Sequence, residues 1–457
     1  MRVSPLTTAP AVPPNVFPVY RGPGLLRNLR QLKSDPLQLM RDAQQAMGPF
    51  VRCPIIGSYS LHVVTEPEAL EHFLVTRRAN YTKGDTWAWL RRTFGNGIVT
   101  SDGAFHQQQR ARIQPGFHRK TLPRYSELVV EYARRQAERW EQLSGSVVEM
   151  QEDMYALALK VMGRLLFSVD FDVEAQDAQR ALVHAADALG QLTRSLMQFL
   201  PESIPTPVGR RFQKAQDALD RAIYGLIDAR VATGGGGDDL LGLLLDSGMS
   251  RLETRDEAVT LLSSGYETTG GMLAWTWYLL AQNPDVEARL HAEVDEVLQG
   301  RLPTWDDFPR LEYTGRVLME ALRLYPPAWF IARQAIEADV IMGYPIPAKG
   351  WVATALYSIH RDPRFWKDPH RFDPDRFLPG ESASRPKYAY LPFGTGDRAC
   401  IGKPLADLEG RLTLGVLAQR FRPRLPRPVP DVLHPLSVPL QVSGGIPMEI
   451  VPRQARQ

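Results

Sequence analysis

The densest run of chemistry-bearing residues is Phe393-Gly394-Thr395-Gly396-Asp397-Arg398-Ala399-Cys400-Ile401-Gly402. A cysteine sulfur is a nucleophile or metal ligand only as the thiolate, which needs positive surroundings and hydrogen-bond donors. Arg398 brings charge close, and the glycines let backbone amides approach the sulfur. The following residues, Pro404 to Phe421, read as a helix. Cys400 then sits at a helix N-terminus, where the dipole favours negative charge. Two plainer readings compete. A lone cysteine is commonly an inert, buried side chain. Gly394 to Ala399 also fits the dinucleotide pattern G-x-G-x-x-A. That pattern should open a βαβ unit with an acidic residue about 20 positions on. Here it lies near the C-terminus and its helix leads into Arg- and Pro-rich coil, so it is rejected.

Three other constellations stand out. Ser263-Ser264-Gly265-Tyr266-Glu267-Thr268-Thr269 puts an acid and hydroxyls in the middle of a long apolar stretch. Taken alone, this is a polar pair on a helix surface, with Thr268 bonding back to a carbonyl. Glu320 and Arg323 lie three apart on one helical face, and such pairs are usually solvated contacts worth little. His106 and Arg110 lie four apart, and taken alone they are exposed residues on a polar helix.

The elements that must position these groups are mostly helical. Apolar spacing predicts helices over Arg119–Gln142, Gln151–Leu166, Gln176–Leu200 and Asp285–Leu298. The longest, Asp256–Gln282, has an acidic start and an Asn283-Pro284 stop, and spans roughly 40 Å through the middle of the molecule. Strand-like segments lie toward the two ends: Phe50–Ile56, Ser60–Val64, Val340–Ile341, Trp351–Leu356 and Met448–Val451. Gly234–Gly237 followed by Asp238 and Asp239 reads as a loop entering a helix. Dense proline between Pro326 and Pro386 predicts a long ordered coil leading to Cys400.

The chain has 457 residues, 44% hydrophobic and 23% charged, enough for a large core. Its net charge of +3 does not suggest a nucleic-acid binder, but leaves room for a local basic face. Two cysteines, Cys53 and Cys400, are too few for a disulfide framework. The Pro-rich segment 1–20 lacks a signal pattern, and no stretch is long enough for a transmembrane anchor. The expectation is a cytoplasmic protein, peripheral to a membrane when it collects a lipophilic substrate.

The thiolate segment resembles the haem-binding signature of cytochromes P-450, F-G-x-G-x-R-x-C-x-G, with every specified position filled. Gly265 to Thr269 resembles the family's oxygen-activation motif, with Ser264 in place of the usual Ala or Gly. Glu320 to Arg323 resembles its E-x-x-R helix, Phe372 to Phe377 the partner segment, and His106 to Arg110 its W/H-x-x-x-R helix. The motifs occur in family order, and the likeness runs from about Gly22 to Ile450.

The resemblance implies a mainly α fold, a helical prism with a small β-rich lobe, as one haem domain over 21–457. It implies haem b, with Cys400 as the iron ligand, Phe393 tuning it, and His106, Arg110, Arg333 and Arg398 at the propionates. Gly265 would make room for dioxygen, Thr268 would hold a water or the oxygen ligand, and Glu267 would relay protons. Glu320, Arg323 and Arg376 would form a buried structural network. The implied reaction is insertion of one oxygen atom into a C–H bond of a lipophilic substrate, a terpenoid, carotenoid or fatty acid. Electrons would come from NAD(P)H through separate partners, a ferredoxin or flavodoxin and its reductase, docking near Arg112, Arg119, Lys120 and Lys403. Candidate pocket residues are Trp87, Trp89, Leu90, Phe94, Leu196, Met197, Phe199, Leu200, Trp329, Phe330 and Ile331; Tyr81, Arg91 and Arg92 could meet a carboxylate. A peroxide-driven hydroxylase and a non-enzymatic haem sensor are the alternatives. The Glu267-Thr268 pair argues against both.

Overall fold

Ser250 opens the longest helix. Its Oγ accepts the N–H of Glu253 at 3.2 Å, and the Glu253 carboxylate accepts the N–H of Ser250 at 2.8 Å. This reciprocal cap satisfies two of the orphan donors of a helix start. The helix therefore begins at Arg251, five residues before the expected acidic start at Asp256, and runs 32 residues to Gln282. Asn283 and Pro284 end it as expected. The expectation missed the start because the Ser-x-x-Glu signal precedes the apolar run.

The computed structural model describes residues 16–22, 31, 34–56, 59–84, 87–194, 206–427, 433–434, 440–442 and 444–453. Helices of seven or more residues are numbered in chain order: α1 Pro36–Met47, α2 Ala88–Phe94, α3 Gly103–Ile113, α4 Leu122–Gln142, α5 Met150–Phe167 and α6 Gln176–Arg194. Then follow α7 Pro207–Ala232, α8 Leu240–Asp246, α9 Arg251–Gln282, α10 Pro284–Leu298, α11 Glu312–Leu324 and α12 Lys403–Arg420. Helix α9 runs through the core, with buried residues on all sides of most of its length. Its tightest neighbour is α5: a Cβ on Gly270 would meet Tyr155 Cδ1 at 2.5 Å and the Met154 carbonyl at 2.9 Å. Helix α12 packs on α4, and α6 pairs with α7. Asp239 caps α8 as the Gly-Asp loop suggested.

The small lobe is a five-stranded sheet of β1 Phe50–Ile56, β2 Tyr59–Val64, β3 Tyr81–Thr82, β4 Phe330–Ala335 and β5 Trp351–Ala355. The strand order is β1-β2-β5-β4-β3. Strands β2 and β5 are parallel (Leu61 opposite Trp351), and β4 and β5 are antiparallel (Arg333 opposite Val352). This pairing joins chain ends nearly 300 residues apart, and it fixes Arg333 on a central strand. Among the described residues no helix is long and apolar enough to cross a membrane.

Candidate active site

The cysteine loop is shaped by two glycines with positive φ, Gly394 (65°) and Gly396 (67°). A Cβ on Gly396 would also meet the Leu74 carbonyl at 2.5 Å, so the loop lies hard against that backbone. The Cys400 N–H donates to the Phe393 carbonyl at 2.8 Å, closing the loop. Helix α12 starts three residues after Cys400. Burial pushes the Cys400 thiol up; the backbone N–H groups of Gly402 and Lys403 and the charges of Arg110 and Lys403 oppose it. Yet Cys400 is exposed. A side chain both enclosed by protein and open at its surface lies on the wall of a chamber. Arg110 Nη1 donates to the Ala399 carbonyl at 2.9 Å, bracing the residue before the cysteine.

Helix α9 has a matching window. Leu261, Leu262, Ser263 and Tyr266 are buried, but Ser264 is exposed and Gly265, Glu267 and Thr268 are half-buried. Thr268 Oγ1 donates to the Ser264 carbonyl at 2.7 Å, the back-bond that the residue types alone suggested. Ser264 Oγ donates in turn to the Thr260 carbonyl at 2.5 Å. Burial pushes Glu267 up to about 7, and the Tyr266 hydroxyl, donating to its Oε1 at 2.9 Å, pulls the other way. A Cβ on Gly265 would meet Met162 Sδ of α5 at 2.7 Å. That close packing is a reason for the glycine independent of dioxygen.

A third group is a crowd of positive charge. His106, expected on an exposed helix face if read alone, is buried. Burial, then Arg398, Arg110 and Lys83, push its pKa down to about 4, with Asp397 opposing. Arg333 is pushed down to about 10 by burial and then Arg398, with Asp102 opposing. Lys83 is driven well below its ordinary value by burial, then Arg333 and Arg398, against the pull of Asp102. Arg398 Nη2 donates to Asp102 Oδ1 at 2.6 Å, while its Nη1 is buried with no partner among the described residues. Lys83, Arg110, Arg333 and Arg398 thus outnumber the two carboxylates that act on the group, Asp102 and Asp397. Such a group fits a doubly negative ligand, and haem with its two propionates meets that need. Lys83 and Asp102 escaped the sequence reading: no spacing links them to Arg333 or Arg398.

Glu320, Arg323 and Arg376 meet as expected. Glu320 and Arg323 are fully buried and paired at 2.6 and 2.8 Å, and Arg376 Nε reaches Glu320 at 3.3 Å. Arg323 also donates to the carbonyls of His360, Pro369 and Arg371. His360, left unassigned from sequence, is buried, and its Nε2 accepts the Leu391 N–H at 3.0 Å. It ties the coil to the segment entering the cysteine loop. His118 and His370 are exposed.

The apolar candidates divide. Phe330, Ile331, Trp87, Leu90 and Phe94 are half-buried, and Leu90 packs toward α6 and α7. Trp329 is corrected to core: it is 3% exposed and packs against Phe330. The side chain of Trp89, and Leu196, Met197, Phe199 and Leu200, lie outside the described residues. Tyr81 is corrected as a carboxylate anchor: it is buried and donates to Asp339. Arg91 is exposed, and its Nε and Nη2 donate to the Thr100 carbonyl. Of the basic residues expected to meet a redox partner, Arg119, Lys120 and Lys403 are exposed, while Arg112 lies 3.5 Å from Glu253.

Comparison with known proteins places this arrangement. The profile of the Cytochrome P450 family matches residues 15–444. Cyclooctat-9-en-7-ol 5-monooxygenase of Streptomyces melanosporofaciens is 34% identical over 463 residues, 98% of this chain and 99% of its own length. Pentalenene oxygenase of Streptomyces avermitilis is 34% identical, covering 91% of this chain and 95% of its own. The crystal structure of the cytochrome P450DA heme domain matches with a TM-score of 0.87 at 28% identity, covering 97% of this chain and 99% of that one. The chain belongs to the cytochrome P450 family, and it is a monooxygenase whose family binds haem iron through a cysteine thiolate.

Proposed function

We propose that the protein hydroxylates a terpenoid, using electrons from NAD(P)H delivered by a separate ferredoxin or flavodoxin and its reductase. The observation that carries this reading is the pair of relatives, a cyclooctat-9-en-7-ol monooxygenase and a pentalenene oxygenase, alike over nearly the whole chain. The commitment of Tyr81 to Asp339 supports it, because a fatty-acid carboxylate loses one of its three candidate anchors. Cys400 would hold the iron, with Phe393 beside it; Arg110, Arg333, Arg398 and Lys83 would neutralise the propionates, and the neutral His106 would hydrogen-bond to one of them. Haem iron bound to a thiolate supplies the activation of dioxygen.

The residues of the chain supply protons and position. The Thr268 hydroxyl donates to the Ser264 carbonyl, so its lone pairs are left to accept a hydrogen bond from a water. Glu267, pushed up to about 7, can release and regain a proton near neutral pH, and Tyr266 fixes the direction of its carboxyl group. The balance is R–H + O2 + 2 electrons + 2 protons giving R–OH + H2O. Arg119, Lys120 and Lys403 form a basic face for an acidic electron donor.

The test is turnover of a cyclic terpene under labelled dioxygen with ferredoxin, its reductase and NADPH. One labelled oxygen atom in the product supports the reading. NADPH consumption with no oxygenated terpene, when fatty acids are hydroxylated under the same conditions, would sink it.

A further inference from the structure

We infer that Ser264 selects a substrate already carrying a hydroxyl group, a terpenoid alcohol in preference to a terpene hydrocarbon. This rests on the terpenoid reading above and makes it narrower. Ser264 is exposed although it lies mid-way along a helix whose neighbouring turns are buried, so its side chain borders open space. Its hydroxyl proton is already spent on the Thr260 carbonyl at 2.5 Å. Two lone pairs are left. Thr268, one turn on, is in the same state, its proton spent on the Ser264 carbonyl at 2.7 Å. This stretch of α9 therefore presents hydrogen-bond acceptors and no free hydroxyl donor.

The complement of an acceptor is a donor on the ligand. An ammonium would lose far more hydration in an enclosed space than one serine hydroxyl returns. A neutral alcohol O–H matches. A hydrocarbon would leave the Ser264 lone pairs facing apolar surface or a retained water. Helix stability does not explain the serine, since alanine is the better helix former and avoids the back-bond to residue i−4. It follows that an earlier step must have placed the first oxygen on the skeleton, by oxygenation or by capture of water during cyclisation.

The test uses the haem-loaded protein and reads the low-spin to high-spin shift of the ferric form. Wild type and Ser264→Ala are titrated with a cyclic terpene hydrocarbon and a set of its mono-alcohols. Wild type should bind at least one alcohol about fivefold more tightly than the hydrocarbon. In Ser264→Ala the preference should shrink to within about twofold, with hydrocarbon affinity little changed. Equal affinity of alcohols and hydrocarbon in wild type, or a preference that survives in Ser264→Ala, overturns the inference while leaving the terpenoid reading intact. If neither class shifts the spin state and long-chain fatty acids do, the terpenoid reading falls and the inference with it.

Discussion

Two buried polar clusters flank the cysteine loop, and they are built on opposite principles. Around Arg323 the charges are paired, although His360 Nδ1 nearby is buried with no partner among the described residues. All five of its N–H groups find acceptors: two go to Glu320 and three to the carbonyls of His360, Pro369 and Arg371. Glu320 also takes the Asp373 N–H at 2.9 Å and Arg376 Nε at 3.3 Å. Around Arg398 the account does not close. Cations outnumber the carboxylates that act on them, a guanidinium nitrogen has no partner among the described residues, and each of His106, Arg333 and Lys83 is held down partly by its neighbours' charge. A satisfied network rigidifies a fold, whereas an unsatisfied one of a single sign is a binding site for the opposite sign. The first cluster holds the coil that carries Cys400; the second waits for an anion.

The largest effect should come from breaking the closed cluster. Arg323→Ala leaves Glu320 buried, charged and without its main partner. Removing one member of a buried pair costs about 3–5 kcal/mol, a large share of the stability of any domain. The expected outcome is little soluble haem-loaded protein, measured as the thiolate-type absorbance of the reduced carbonyl complex per unit of chain. Arg323→Lys should not rescue it, because lysine has three donors and no planar fork. Near-normal haem content in either variant would mean that the cluster is dispensable.

The two clusters also differ in how far residue order discloses them. Glu320 and Arg323 share a helix face, so spacing alone joins them, and Arg376 follows in a recognisable segment. Cys400 and the Gly265–Thr269 run were legible for the same reason: type and spacing are local. Lys83 and Asp102 were not. They reach Arg398 only because α3 and the cysteine loop are folded together, and Arg333 joins them from a strand paired across the sheet. The bond from Tyr266 to Glu267 was not legible either, because a hydrogen bond between adjacent side chains depends on rotamers. Tyr81 was misread because its partner, Asp339, is set by tertiary contact.

Arg398→Ala should strike the open cluster without the structural damage of Arg323→Ala. It removes a cation from a crowd of cations, so the fold loses little and Lys83 and Arg333 gain relief. Haem should suffer instead. A hydrogen bond to a charged group is worth about 1.5–3 kcal/mol, which corresponds to roughly 10- to 100-fold faster loss of haem. Transfer of haem to an excess of apomyoglobin measures this, with urea unfolding in parallel. Unchanged transfer together with a large loss of stability would reverse the assignment of the two clusters.

The smallest effect lies in the pH response of the closed cluster, and it is read through His360. Accepting the Leu391 N–H at Nε2 requires the neutral ring, with the proton on Nδ1. Burial first, then the charges of Arg323 and Arg361, push its pKa down to about 3. The unfolded chain takes up a proton near pH 6.5 and the folded one does not, so stability is full above that value and falls as the pH drops toward 3. From this group the loss at pH 5.5 is about 1 kcal/mol relative to pH 7. His360→Gln keeps an oxygen that can accept the Leu391 N–H and removes the titration. Its unfolding midpoint should be lower than wild type at pH 7, and the gap should narrow or close at pH 5.5. A gap that stays constant or widens would show that His360 is already protonated in the fold, and the cluster would then not be closed around a neutral ring.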